Sequence, residues 1–168
     1  RADWPFQYPC HSVDQHCKMA ILSRTPLYDT TAQTIWEGPP NIRASLGPDF
    51  GNLTIVGVHT TRFPHSRAQL KQARALVKQL ELATGPLIVA GDFNATQYSR
   101  VITTISDGTG LVRMTYLPTW PAWTVIPQLA IDHLFASKSL RPLGKQIIGE
   151  PAGSDHFPIK LTFALRSA

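Results

Sequence analysis

Four short apolar runs in this chain each end at, or stand beside, a side chain that can handle charge. Leu53 to Val58 is closed by His59. Leu87-Ile88-Val89-Ala90 leads into Asp92 and Asn94. Leu129-Ala130-Ile131 leads into Asp132, with Leu134-Phe135 beyond it. Asp155-His156 stands just before Phe157-Pro158-Ile159. Short continuous apolar runs suit buried strands. Buried strands that bring carboxylates to one rim of a sheet are a common way to build a metal-assisted hydrolytic site.

The clearest helix lies between the first two runs. Leu70, Ala73, Leu76, Val77 and Leu80 recur at helical spacing, Ser66-x-x-Gln69 has the form of a capping box, and Gly85-Pro86 stops the pattern. Arg67, Lys71, Arg74 and Lys78 run along another face. That stripe either tracks phosphate or simply faces water, and the solvated face is the preferred reading. Met19 to Ser23 reads as a strand. Gln33 to Trp36 and Ile42 to Leu46 flank Gly38-Pro39-Pro40-Asn41 as a hairpin. Ser99 to Ser106 reads as a short helix broken by Asp107-Gly108-Thr109-Gly110. Met114 to Gln128, with Tyr116, Trp120 and Trp123, is a loop long enough to suggest function. Ile131–Ala136, Gly144–Ile148 and Phe157–Leu165 are further expected strands. Residues 1–18 show no period and read as irregular. Alternating strands and helices, with no repeat or linker, predict one α/β domain over residues 1–168.

With 168 residues, 43% of them hydrophobic and 16% charged, the chain can bury a real core. No apolar stretch approaches the length of a membrane span. A net charge of +5 favours phosphate-bearing partners such as nucleic acid, phosphoinositides or anionic membrane, and serves solubility equally well. Cys10 and Cys17 admit three readings: a disulfide closing a small loop, a zinc site with His11 and His16, or two unrelated thiols. The disulfide is preferred, and would stabilise by about 2.5 kcal/mol on the chain-entropy account. Structural zinc sites set their cysteines closer than this pair. The sequence holds no Gly-x-Ser-x-Gly elbow, Walker loop, Gly-x-Gly-x-x-Gly or His-Glu-x-x-His. Ser154 beside Asp155-His156 is no triad, because adjacent side chains point different ways.

In order, Ile21-Leu22-Ser23-Arg24-Thr25-Pro26-Leu27, Val56-Gly57-Val58-His59-Thr60, Gly91-Asp92-Phe93-Asn94, Ile131-Asp132-His133-Leu134-Phe135 and Ser154-Asp155-His156-Phe157-Pro158 resemble the motifs of the endonuclease/exonuclease/phosphatase superfamily. The resemblance runs from about Met19 to Leu165. It implies part of a four-layer α/β sandwich, with two stacked mixed sheets and helices outside. It also implies a metal-dependent phosphoesterase acting on nucleic acid, a phospholipid headgroup or another phosphoester, with Mg²⁺ or Mn²⁺ as cofactor. His156 matches the family's catalytic histidine and Asp132 its orienting carboxylate. Asp92 and Asn94 match the pair that orients the attacking water and contacts the phosphate. His59 matches a second active-site histidine, and Asp155 a metal ligand. His133 alternates away from Asp132 and is expected outside the site. Lys18 stands near where several members carry Tyr or His.

The family's domain opens with a strand carrying an Asn and a second ending in a metal-binding Glu. Neither is found among these residues: Asp3 and Asp14 are the acids before Met19, and Glu37, Glu81 and Glu150 come too late in the order. The expectation is therefore an N-terminally incomplete domain, impaired as it stands. The alternative reading is a catalytically silent fold fragment or binding module. Pro118-Thr119-Trp120-Pro121 resembles bacterial members that carry the domain outside the inner membrane. That implies a periplasmic or extracytoplasmic location, with membrane association through an upstream segment.

Overall fold

Alternation along three central strands assigns a sheet its two faces. In the computed structural model, which describes residues 3–10, 18–33, 38–124, 126 and 128–165, Val56, Val58, Val89 and Phe135 are buried in one core with the helices. Ile55 belongs to a second core on the opposite face. The strands concerned are β5 (Thr54–His59), β6 (Leu87–Asp92) and β8 (Asp132–Ala136). Together with β3 (Leu27–Gln33), β4 (Asn41–Leu46) and β7 (Val112–Arg113) they form a six-stranded mixed sheet in the order β3-β4-β5-β6-β8-β7.

The β5–β6 pair is parallel and joined through α1 (Ser66–Leu80), a βαβ crossover. The apolar stripe of α1 meets the sheet and α2 (Arg100–Thr109) in one cluster, where Ala73, Leu76, Val101, Ile102 and Ile105 surround Phe93 and Phe135. Beyond this sheet, the described strands pair as two-stranded ribbons. β1 (Phe6–Pro9) pairs with β2 (Ala20–Ser23), and Tyr8, Cys10 and Ile21 close over Ile42 and Ala44. β9 (Leu140–Pro142) pairs with β12 (Phe163–Leu165), and β10 (Ile147–Ile148) with β11 (Ile159–Lys160). The layering is that of the expected α/β sandwich, a helical layer on one face of the mixed sheet and short strands on the other.

Several expectations need correction. The first residues are not irregular throughout, since Phe6 to Pro9 forms a strand. Phe157 to Leu165 is not one strand: it breaks after Lys160 and its two pieces join different ribbons. Gly144 to Ile148 contracts to its last two residues. The hairpin is present, but its first strand is Leu27–Gln33, paired Gln33 to Asn41. Residues 34–37 lie outside the described residues. Asp107-Gly108 does not break α2, which runs on to Thr109 and is capped by Gly110 in the left-handed conformation. Cys10 is fully buried and disulfide-bonded. Its expected partner, Cys17, lies outside the described residues, as do His11 and His16.

Candidate active site

Register places three of the expected residues side by side. His59 is paired with Asp92 across β5 and β6, and Asp92 with Asp132 across β6 and β8. Paired positions share a face, so the three side chains stand in a row on the face away from the helices. The loop before β11 adds His156. Its Nδ1 lies 2.7 Å from Asp132 Oδ2, and its Nε2 lies 4.0 Å from Asp92 Oδ2. His59 Nε2 approaches the same Asp92 oxygen at 3.7 Å. A carboxylate is an acceptor only, so the hydrogen bond to Asp132 puts a proton on His156 Nδ1 and turns Nε2 toward Asp92.

Each carboxylate is itself held. Asp92 Oδ1 accepts the backbone N–H of Asn94 at 2.7 Å, which leaves Oδ2 for the two imidazoles. Asp132 Oδ2 also accepts the hydroxyl of Thr119 at 2.5 Å. Thr119 is fully buried, and its carbonyl accepts the N–H of Phe157. Asp155 gives its carbonyl to the N–H of Ala122. The aromatic loop therefore ties both Asp132 and the segment that carries His156. Burial pushes the Asp92 carboxyl above its ordinary 3.8. The Asn94 N–H opposes that rise, and the nearby Asp132 charge adds to it.

Asn94 does not prolong β6: its φ is 46°, in the left-handed region that Asn tolerates. Its amide Nδ2 donates to the carbonyl of Thr60 at 2.9 Å. The side chain thus fixes the turn after β6, and it is the backbone N–H of Asn94 that reaches Asp92. Gln69 does not complete the capping box that Ser66-x-x-Gln69 suggests. His65 is the N-cap, with no side-chain cap bond. Gln69 is buried and donates to the carbonyls of Thr61 and Asn94 at 2.7 and 2.9 Å. His133 points to the helix side, as its alternation predicts, and is buried there. Its Nε2–H donates to the carbonyl of Ala95 at 2.8 Å, and burial pushes its pKa below the ordinary 6.5. Gln69 and His133 thus tie the turn after Asp92 that carries Asn94, and Thr119 holds the Asp132 side chain. Sequence spacing gave no sign of these links, because each is a long-range bond from a side chain to backbone or carboxylate.

Asp155 is exposed. Among the described residues, no three His, Cys, Asp or Glu side chains are grouped so as to hold a metal ion. The donors described here do not by themselves fit a divalent-cation site. Beside the carboxylate–imidazole row opens a cleft of about 990 Å³, and Asn94, Asp155 and His156 line it.

Comparison with known proteins bears on the family and the fold. A "UPF0294 protein" of Vibrio cholerae is 31% identical over 120 residues, which are 70% of this chain and 42% of that protein. One from Vibrio vulnificus is 30% identical over 116 residues, 67% of this chain and 40% of its own length. The chain thus spans less than half the length of these curated relatives. Among solved structures, a functionally unknown protein from Enterococcus faecalis superposes with a TM-score of 0.76 at 17% identity, covering 96% of this chain and 76% of that one. D. rerio TDP2 complexed with single strand DNA product gives 0.73 at 15% identity, covering 97% and 78%. The mannosyl-6-phosphatase of Bacteroides thetaiotaomicron gives 0.70 at 17% identity, covering 88% and 71%. These likenesses show a shared fold. The profile of the Endonuclease/Exonuclease/phosphatase family matches residues 2–156, and the chain belongs to that family.

Proposed function

We propose that the complete protein is a phosphoesterase that hydrolyses a phosphodiester at the His59–Asp92–Asp132–His156 row. The observation that carries this reading is the row itself. Three strands in register present His59, Asp92 and Asp132 on one face, and His156 is held on Asp132 at 2.7 Å with Nε2 directed at Asp92. Asp92 Oδ2 takes a proton from water, a task helped by a carboxyl whose burial raises its proton affinity. The water oxygen forms a bond to phosphorus and the bond to the leaving oxygen breaks. The leaving oxygen takes its proton from solvent. His156 Nε2, when protonated, donates to a phosphoryl oxygen as charge builds there, while Asp132 holds the imidazolium. Thr119 keeps Asp132 in place.

Mg²⁺ or Mn²⁺ belongs to this reading through the family resemblance, with Asp155 as the donor that the resemblance assigns. The donors among the described residues do not complete a site for it. An extracytoplasmic location is also part of the reading, supported by the disulfide at Cys10. The reading is tested with a generic phosphodiester such as bis-p-nitrophenyl phosphate, using a chain extended to the length of the curated relatives. His156→Ala and Asp132→Asn are each expected to lower turnover by about 10²- to 10⁴-fold with secondary structure unchanged. Turnover within a few-fold of the parent in both variants would refute the assignment.

A further inference from the structure

We propose that Gln69 is a positioning residue: its side-chain amide sets the His59–Asp92 end of the row against the wall of the cleft that α1 forms. The consequence for rate rests on the phosphoesterase reading, and the placement rests on geometry alone.

The other buried residues of α1 are Ala73, Leu76, Val77 and Leu80, all apolar. Packing alone would put an apolar side chain at position 69 as well, because a buried amide costs stability unless its hydrogen bonds are made. At Gln69 the donors are used. Nε2 donates to the carbonyl of Thr61 at 2.7 Å and to that of Asn94 at 2.9 Å. Those two carbonyls stand at equivalent places. β5 and β6 end their pairing at His59 and Asp92, and Thr61 and Asn94 each lie two residues farther along. Gln72, a neighbour on the same side of α1, accepts the N–H of Thr61 through Oε1 at 2.9 Å. Both backbone groups of Thr61 are therefore taken by the helix.

The exits of the two strands are also joined to each other. Thr60 N–H donates to the carbonyl of Asp92 at 3.0 Å, the Thr60 hydroxyl donates to the carbonyl of Phe93, and Asn94 Nδ2 donates to the carbonyl of Thr60. These bonds make His59 and Asp92 one unit. Where that unit stands relative to the helix is left to Gln69 and Gln72. The helix matters because Ser66, Arg67, Gln69 and Leu70 of its N-terminal end line the cleft. A ligand seated against α1 meets the row in line only if α1 and the exits are held at a fixed distance. Gln69 has no donor left for the ligand itself, since an amide nitrogen carries two hydrogens and both are given to carbonyls. His59 depends on such support more than His156 does. His156 is fixed through Nδ1 on Asp132 at 2.7 Å. His59 stands 3.7 Å from Asp92, beyond hydrogen-bond length, and takes its place from the backbone of β5.

The test sets Gln69→Met, which keeps the length and loses both donors, beside Leu76→Val, which loosens the same buried face of α1 and removes no bond to either exit. In the chain extended to the length of the curated relatives, Gln69→Met is expected to lower kcat for bis-p-nitrophenyl phosphate by about 10²-fold, with KM within about two-fold of the parent. Leu76→Val should lower Tm and leave kcat unchanged at temperatures well below melting. Gln72→Met, which frees the Thr61 N–H alone, should fall between the two, and it carries the same comparison if Gln69→Met does not fold. In the 168-residue chain, the imidazole NMR signals of His59 are expected to move in Gln69→Met and to stay in place in Leu76→Val. Unmoved His59 signals would overturn the proposal whatever the rates. So would an unchanged kcat, or a loss in Leu76→Val as large as that in Gln69→Met, since stability would then account for both. Moved signals in a protein that cleaves no phosphoester at any length would leave the placement standing and sink the enzymatic reading.

Discussion

At Asp92 burial raises the carboxyl pKa, against the lowering effect of the Asn94 N–H and of the two histidines. An acid whose folded pKa lies above its unfolded value binds its proton more tightly when folded. Its ionised form therefore costs stability, and that cost grows as pH rises from 3.8 through the folded value. Asp92→Asn keeps an oxygen to accept the Asn94 N–H and removes the charge. The variant is expected to melt higher than the parent near neutral pH, by about 2–4 °C for each kcal/mol regained. The gain should shrink as pH falls toward 3.8. Diester turnover in the extended chain should meanwhile fall by about 10²- to 10⁴-fold. Thermal melts across that pH range, set beside rates, check both halves. A variant less stable than the parent at every pH would show that the burial cost at Asp92 has been misjudged. A residue that costs stability where it stands is what a working site requires, since packing alone would choose a neutral side chain.

Among the elements, β6 carries the tightest constraint. Gly91 has φ of 151°, and a Cβ built there would sit 1.8 Å from the carbonyl oxygen of Val58 on the paired strand. The atom in the way is backbone, so no rotamer change relieves it. Gly91→Ala should destabilise the domain by more than about 3 kcal/mol, read as a fall in the urea midpoint with unchanged slope. An unchanged midpoint would mean that β5 and β6 separate more easily than their parallel pairing suggests. β5, β6, β8 and α1 were legible in the sequence because each has one dominant signal, a buried apolar run or a 3.6-residue stripe. The polar residues at their ends were legible for the same reason. Legibility failed where a residue answers to a distant neighbour. Gly108 reads as a breaker, yet it lies within α2 where an added Cβ would meet Val77 of α1 at 2.7 Å. Gln69 reads as a cap, yet it serves the carbonyls of Thr61 and Asn94. The Phe157–Leu165 run reads as one strand, yet its two pieces pair with different partners.

At the scale of the whole molecule the donor set for a cation is what limits the chain. The site row is complete in its imidazoles and carboxylates, but those groups hold one another. Asp132 is engaged by His156 and Thr119, and Asp92 by the Asn94 N–H, with two imidazoles facing its other oxygen. Asp155 is exposed, and no three candidate donors are grouped among the described residues. Mg²⁺ gives up its hydration shell reluctantly and needs well-placed oxygens to do so. The 168-residue chain is therefore expected to bind Mg²⁺ and Mn²⁺ weakly and to turn over no diester at a measurable rate. Its relatives are more than twice the span that it matches, at 42% and 40% coverage. A chain extended to their length is expected to bind the ion more tightly and to cleave. The family resemblance assigns the principal donor to a Glu on an earlier strand, and changing that Glu to Gln in the extended chain should return both properties to the level of the short one. Calorimetric titration and a diester assay on the two lengths, side by side, decide the matter. Micromolar Mg²⁺ binding with turnover in the 168-residue chain would show that a donor among its own residues fills the place of that Glu.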